Sequence, residues 1–422
     1  MIKNRNYHYF KLFNQIWLCL LFSVILFTPL HSFYKMIVIL MLFVLWFVSA
    51  LIIDMNYFVQ ALPYFSFLIA VIVLDFIRGI ILDDPTTKLL GINKMPLLIW
   101  PVLLQFYYNR VQMLKFPLII AVSAVTISAI FTLKGNIAYP GASRLLAGAT
   151  EYYAEIREFY RSMNIGGYGL VFGMVFMLMP LILLCKYRTK GKVLIFFIIV
   201  FYLINILYAS FFFAIIFSVF LIIISNVNVK KKRSVLIVSG IILLITIIIR
   251  NGIGDILINI ANKINSEILV KRITQLFSGE YFLEYGDSNN RLTIYMNAIK
   301  NWLDRPILGS LQGGAIEYRR SGHSALLGYL EHYGLIAFLY YRCFYNIYKK
   351  TCIHLKSAII KNYWFVFYMF FLIFALVENI DTFGEIGCVV FFIAPAIFLY
   401  LDNTIICKYG YSEEIEQGYN KF

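Results

Sequence analysis

Residues 36–53 read MIVILMLFVLWFVSALII, a run without a single charged side chain. A bilayer's hydrocarbon core takes a helix of roughly 20 apolar residues, so a run of this length and composition predicts a transmembrane helix. Further stretches are nearly free of charge in the same way: 65–77, 116–133, 169–185, 193–209, 211–225 and 234–249. The sequence therefore predicts an integral membrane protein that crosses the bilayer many times.

The composition of the 422-residue chain points to the same class. Hydrophobic residues make up 61% and charged residues 14%, whereas soluble domains average about 45–50% and about 25%. One soluble core of this size cannot hide so much apolar surface, so lipid must cover the excess. The net charge of +15 would suit nucleic acid, but the basic residues cluster between apolar runs, and we expect no nucleic-acid partner.

Motifs for metals, disulfides and nucleotides are missing from the sequence. The six cysteines form no CxxC pair, which argues against a zinc site or a disulfide framework. Neither a Walker-type loop nor GxGxxG occurs, which argues against ATP-driven transport. We expect no metal and no cofactor.

We predict an all-α polytopic membrane protein, with a single transmembrane domain over residues 1–422 and about 12 spans. The predicted spans are 14–30, 36–53, 58–82, 93–109, 116–133, 166–185, 193–209, 211–226, 234–250, 324–345, 363–377 and 388–402. Every second connection between the spans is short and carries Lys or Arg. The turn at residues 54–56 is the exception, because it has neither. Because short basic loops face the cytoplasm, both termini are predicted to be cytoplasmic.

Two connections on the predicted outer face are long, about 134–165 and 251–323. Long loops are uncommon unless they are functional, and we expect short helices within the second. Their arginines suggest an anionic ligand, because the guanidinium fork suits phosphate oxygens. The candidates are Arg144, Arg157, Arg161, Arg319 and Arg320. The alternative interpretation is a solvated surface of mixed charge, since the rule that places basic loops in the cytoplasm does not apply to long loops.

Charged residues also occur next to the predicted spans. Asp75 and Arg78 lie three residues apart near the outer end of the third span. They either pair as neighbours on a helix or have a function, as ionisable residues inside membranes often do. Glu378, Asp381 and Glu385 fall in the last outer loop, where solvated charges are expected.

The most informative segment runs from Gly322 to Phe338, and the stretch upstream of it begins at Asp287. Arg291 opens a predicted amphipathic loop helix that has Ile294, Ala298 and Trp302 near one face. A turn follows at residues 306–310, and His323 then stands at the outer mouth of the tenth span.

This order of residues resembles the O-antigen polymerase and O-antigen ligase superfamily. In that family, an Arg opens a loop helix that carries a Trp, and a Pro-x-x-Gly turn follows. A His then precedes a Leu-rich segment that ends in Glu-x-x-Gly-Leu-Ile. The matching positions are Arg291, Trp302, Pro306, Gly309, His323, Leu326, Leu330, Glu331, Gly334, Leu335 and Ile336. The chain departs from the pattern at Ser324, where Asn is usual, at Ala337, where Gly is usual, and after the seventh span, where it lacks Ser-Arg-Gly.

The resemblance implies a GT-C-like, metal-independent glycosyltransferase of the bacterial inner membrane with its active face outside the cytoplasm. Its substrates would be undecaprenyl-diphosphate-linked oligosaccharides. His323 would be the base or positioning partner of the acceptor hydroxyl, and Arg291 would clamp the diphosphate. Arg144, Arg157, Arg161, Arg319 and Arg320 would be supporting cations, while Asp287, Glu331 and Glu378 would orient these groups.

Within the family two activities compete. A polymerase joins lipid-linked repeat units of an O-antigen, capsule or exopolysaccharide, whereas a ligase transfers the finished glycan to lipid A–core. We favour the polymerase, because the drifted motif is similar to that of the more divergent polymerases. A transporter or flippase of lipid-linked sugars and a structural scaffold are rivals from other classes. Membrane lipid and a chain-length regulator are further candidate partners.

Overall fold

The computed structural model describes residues 2–33, 36–81, 95–146, 154–187, 191–226, 291–312, 324–380 and 384–409, with a few isolated positions between 258 and 274. Every regular element within these ranges is helical, as the sequence predicts. The predicted ninth span, 234–250, lies outside the described residues.

The helices are numbered in chain order. In the first half they are α1 (Ile2–Leu26), α2 (Met36–Ile53), α3 (Tyr57–Ile81), α4 (Met95–Tyr107), α5 (Lys115–Ala138), α6 (Ala142–Leu145), α7 (Ala154–Ser162) and α8 (Tyr168–Tyr187). In the second half they are α9 (Lys192–Tyr208), α10 (Phe212–Asn226), α11 (Arg291–Asp304), α12 (Ala325–Tyr333), α13 (Phe338–His354), α14 (Ala358–Val377), α15 (Gly384–Cys388) and α16 (Ala394–Tyr409). A π-helical turn, Val389–Ile393, joins α15 to α16.

Within the described ranges, seven helical segments are long and apolar enough to cross a membrane. They are Tyr9–Leu26, Met36–Ile53, Tyr57–Ile81, Val111–Ala138, Tyr168–Tyr187, Ala358–Val377 and Gly384–Ile405. Shorter apolar helices cover Leu97–Tyr107, Lys192–Tyr208 and Phe213–Asn226. The chain is thus a polytopic helical membrane protein.

The predicted tenth span, 324–345, is wrong as a continuous helix. The structure breaks it at Gly334, where φ is +55°, into α12 and α13 with a 3-10 turn between them. The predicted loop from residue 134 also begins too early, because α5 continues to Ala138. Its remainder contains α6 and α7, and the second long loop contains α11 and a 3-10 turn, Gly309–Gln312.

The core lies around α8 and α15–α16. In the most apolar windows of these two segments, 83% and 89% of the residues are buried, against 33% for α2. Phe176 of α8 packs its ring against those of Phe367, Phe370 and Phe374 of α14. Peripheral helices therefore surround two central ones.

Hydrogen bonds mark two opposite ends of the bundle. At the first end, which we call the basic end, Arg110 pairs with Asp54, and Lys350 Nζ donates to Gln105 Oε1 at 2.8 Å. The opposite end holds the start of α8 and the ends of α3 and α14. We call it the polar end, because most of the buried polar pairs described next lie there.

Candidate functional site

The short helix α12 is fixed at its first turn to the end of α14. The Ser324 hydroxyl caps α12 by accepting from the Leu327 amide at 3.1 Å, and the Ala325 amide donates to the Glu378 carbonyl at 3.2 Å. One turn into α11, the Tyr295 hydroxyl donates to the Val377 carbonyl at 2.8 Å. The beginnings of α11 and α12 therefore converge on Val377 and Glu378, which we call the α14 terminus.

The two helices also meet further along. The Asn301 amide of α11 donates to Glu331 Oε1 of α12 at 2.8 Å, and both side chains are buried. Ile294 and Ala298 are buried, which confirms the predicted apolar face of the loop helix. Both helices begin at the α14 terminus and a hydrogen bond joins their second halves, so the two helices run in the same direction.

The Pro306–Gly309 turn closes on the break after α12. The Leu335 amide donates to the carbonyls of Pro306 and Ile307, at 2.9 and 3.0 Å. The Ser310 hydroxyl donates to the His332 carbonyl at 3.0 Å. Two elements of the family-like pattern, the Pro-x-x-Gly turn and the Gly-Leu pair, thus touch each other.

At its other end α12 reaches α3. The Tyr333 hydroxyl donates to Asp75 Oδ1, and Arg78 Cζ lies 5.5 Å from the centre of the Tyr333 ring. Arg78 Nη1 is 3.9 Å from Asp75 Oδ1, and the two side chains are 1% and 0% exposed. This geometry fits the interpretation of the two residues as paired neighbours on a helix.

The carboxylates after α14 are not solvated, contrary to our expectation. Glu378 is 5% exposed and accepts a hydrogen bond from the Tyr168 hydroxyl at 2.9 Å. Glu385 at the start of α15 is largely buried, with Oε1 3.9 Å from His31 Nε2. Packing of α14 and α15 against α8 and the chain after α1 removes them from water. Asp381 lies outside the described residues.

Of the predicted catalytic residues, Arg291 is the first residue of α11, as expected. His323 immediately precedes the Ser324 cap of α12, but lies outside the described residues, as do Asp287, Arg319 and Arg320. Glu331 on α12 and Glu378 at the α14 terminus are both buried.

The remaining predicted cations lie between α5 and α8. Arg144 belongs to α6 and is partly buried. Arg157 and Arg161 stand one turn apart on α7, the first partly buried and the second exposed. Along the chain, α7 ends shortly before Tyr168, the partner of Glu378.

Sequence reasoning did not assign Asp75, Arg78, Asn301 or Tyr168 to the site. Opposite charges in the otherwise apolar stretch Tyr57–Ile81 were the signal for the first two. Asn301 and Tyr168 carried no such signal, because their partners are distant in the sequence.

Among the residues that the structure describes, no three His, Cys, Asp or Glu side chains lie together as metal ligands would. Comparison of the chain with protein-family models, with curated proteins and with solved structures found no match.

Proposed function

We propose that this protein is a polysaccharide polymerase that joins undecaprenyl-diphosphate-linked oligosaccharide repeat units at the extracytoplasmic face of a bacterial inner membrane. In this proposal the basic end of the bundle, with Arg110 and Lys350, faces the cytoplasm. This orientation follows the rule that short basic loops stay inside. The polar end then faces outward, where a lipid diphosphate lies at the membrane surface.

The observation that supports the proposal most is the convergence on the α14 terminus. Tyr295 stands one turn after Arg291, and Ala325 stands two residues after His323. Their contacts with Val377 and Glu378 bring the chain segments of the two predicted catalytic residues to one place. Tyr168 joins them there, shortly after the predicted cations of α7.

The proposed chemistry uses these parts in a single transfer. The acceptor hydroxyl oxygen bonds to the anomeric carbon of the donor sugar, His323 takes up the hydroxyl proton, and the bond to the diphosphate oxygen breaks. The diphosphate leaves with the electron pair, and Arg291 stabilises its growing charge, with Arg144, Arg157 and Arg161 in support. Glu331 and Glu378, held by Asn301 and Tyr168, keep the scaffold of this site in place.

The test is chain extension by purified protein with undecaprenyl-diphosphate-linked oligosaccharide. We expect His323→Ala and Arg291→Ala each to lower the rate about 100-fold or more. His354→Ala and Arg342→Ala are matched controls, because His354 stacks on Tyr108 at the basic end and Arg342 is exposed on α13. Undiminished extension in both test variants would contradict the assigned roles.

One observation favours the transporter as a second candidate. The helix broken at Gly334 is of a kind that transporters use to build substrate sites. Translocation of the lipid-linked sugar by the wild-type protein, with no product on any acceptor, would support the transporter. Transfer to lipid A–core in place of a second repeat unit would instead support the ligase.

A further inference from the structure

Arg78 differs from the other described arginines in its surroundings. Its side chain is 1% exposed, and its Nε and Nη1 atoms are buried without a hydrogen-bond acceptor among the residues that the structure describes. Asp75 Oδ1, at 3.9 Å from Nη1, is too distant for a hydrogen bond. Two charged donors thus remain unused at the polar end of α3.

Such an arrangement is costly unless it serves a ligand. A buried donor without an acceptor loses its hydration and regains nothing, and the loss is greatest for charged groups. The side chain is nonetheless held in place, because Asp75 lies on one side and the Tyr333 ring on another. A guanidinium that keeps charged N–H donors without an acceptor can bind the oxygens of a phosphate.

We infer that Arg78 forms a phosphate-binding subsite, distinct from Arg291 and from the arginines of α6 and α7. Its ligand is a phosphoryl group at the outer membrane surface, and the diphosphate of the lipid-linked donor is the source that we favour. This inference deepens the proposed function and rests on it only for the identity of that lipid. Entry of the phosphate requires neighbouring side chains to move apart. Tyr333 covers one side of Arg78 and lies next to the helix break at Gly334, so it is the side chain that we expect to move when the phosphate binds.

The test is a binding measurement with the full-length protein in nanodiscs of phosphatidylcholine. The probe is radiolabelled undecaprenyl diphosphate. We expect Arg78→Gln to weaken its binding about ten- to a hundredfold, as loss of a charged hydrogen-bond donor does, and Arg78→Lys to recover part of the loss. Arg110→Gln is the matched control, because this arginine also pairs with an aspartate, Asp54, but at the basic end. The Arg110→Gln variant should bind the probe as tightly as the wild type.

The double variant Asp75→Asn/Arg78→Gln separates binding from folding. If Arg78 served only as the counter-ion of Asp75, removing both charges would restore binding, and this result would overturn the inference. Unchanged binding in a folded Arg78→Gln protein would overturn it as well. Continued weak binding in a double variant that unfolds at the wild-type temperature would support it.

Competition identifies the source of the phosphate. Displacement of the probe by inorganic pyrophosphate in an Arg78-dependent manner would show that the phosphates alone are recognised. Displacement by added phosphatidylglycerol would identify a lipid headgroup. The assay requires no chain extension, so Arg78-dependent binding by a protein that extends no chain would refute the proposed polymerase and leave this subsite standing.

Discussion

At the scale of single residues, Gly309 and Gly334 hold the turn before α12 against the break after it. Both have positive φ, at 56° and 55°. A Cβ at Gly334 would lie 2.6 Å from the carbonyl oxygens of Pro306 and Ile307. These atoms belong to the backbone and cannot rotate away, so the contact requires the absence of a side chain.

The first prediction concerns Gly334→Ala. We expect it to lower the free energy of unfolding by about 2–4 kcal/mol, because the cost of a left-handed backbone at alanine adds to the cost of steric overlap with main-chain atoms. Gly191→Ala is the control, since Gly191 has φ of +78° but open space around its Cβ position. The control should lose only about 1–2 kcal/mol. Thermal unfolding in detergent measures both, and equal losses would contradict the role given to the contact.

At the scale of elements, α12 depends on its neighbours. A helix of 9 residues is marginally stable in isolation, because its few hydrogen bonds do not offset the free-energy cost of helix nucleation. Its stability therefore comes from the Ser324 cap, from the Glu378 carbonyl and from Asn301. This dependence makes α12 sensitive to changes in α11.

The second prediction tests that dependence through Asn301→Ala. Removal of the amide takes a donor from the buried Glu331 carboxylate, so we expect α12 to lose about 1–3 kcal/mol of local stability. Hydrogen exchange of the amides in residues 325–333 should accelerate accordingly. Asn297→Ala, one turn earlier on the same helix, should leave this exchange unchanged. Identical exchange in the two variants would contradict the coupling.

The same elements show how far the sequence could lead. The face of α11 was predictable, because Ile294, Ala298 and Trp302 follow helical spacing. The break at Gly334 was not, since glycine is common inside transmembrane helices and the carbonyls that meet it come from Ile307 and Pro306. The burial of Glu378 likewise depends on Tyr168, which is 210 residues away in the chain.

At the scale of the whole molecule, the two ends of the bundle predict opposite exposure to solvent. In protein stripped of its own cysteines, we expect Glu158→Cys on α7 to react with a membrane-impermeant maleimide added outside intact cells. Met55→Cys should react only after the membrane is permeabilised. Met55 is 75% exposed in the turn next to Asp54, so burial does not protect it. The reverse labelling pattern would invert the topology and remove α7 from the proposed active face.

Hydropathy alone did not reveal which helices are central. Among the described spanning segments, the most apolar one, α2, is among the least buried, whereas the less apolar α15–α16 segment is the most buried. Lipid tails are as apolar as leucine, so a helix facing lipid needs no less hydrophobicity than one facing protein. The class of fold was therefore predictable from the sequence. Which helices lie at the centre and which at the periphery was not.

The central position of α15–α16 has a consequence for how the protein is made. This segment follows every other described helix in the chain, yet it packs against α4, α8 and α14 in the interior. During synthesis the earlier helices must enter the membrane and wait around an unfilled centre. The carboxylate of Glu385, at the start of this segment, can meet His31 only after all of the helices described before it have been synthesised.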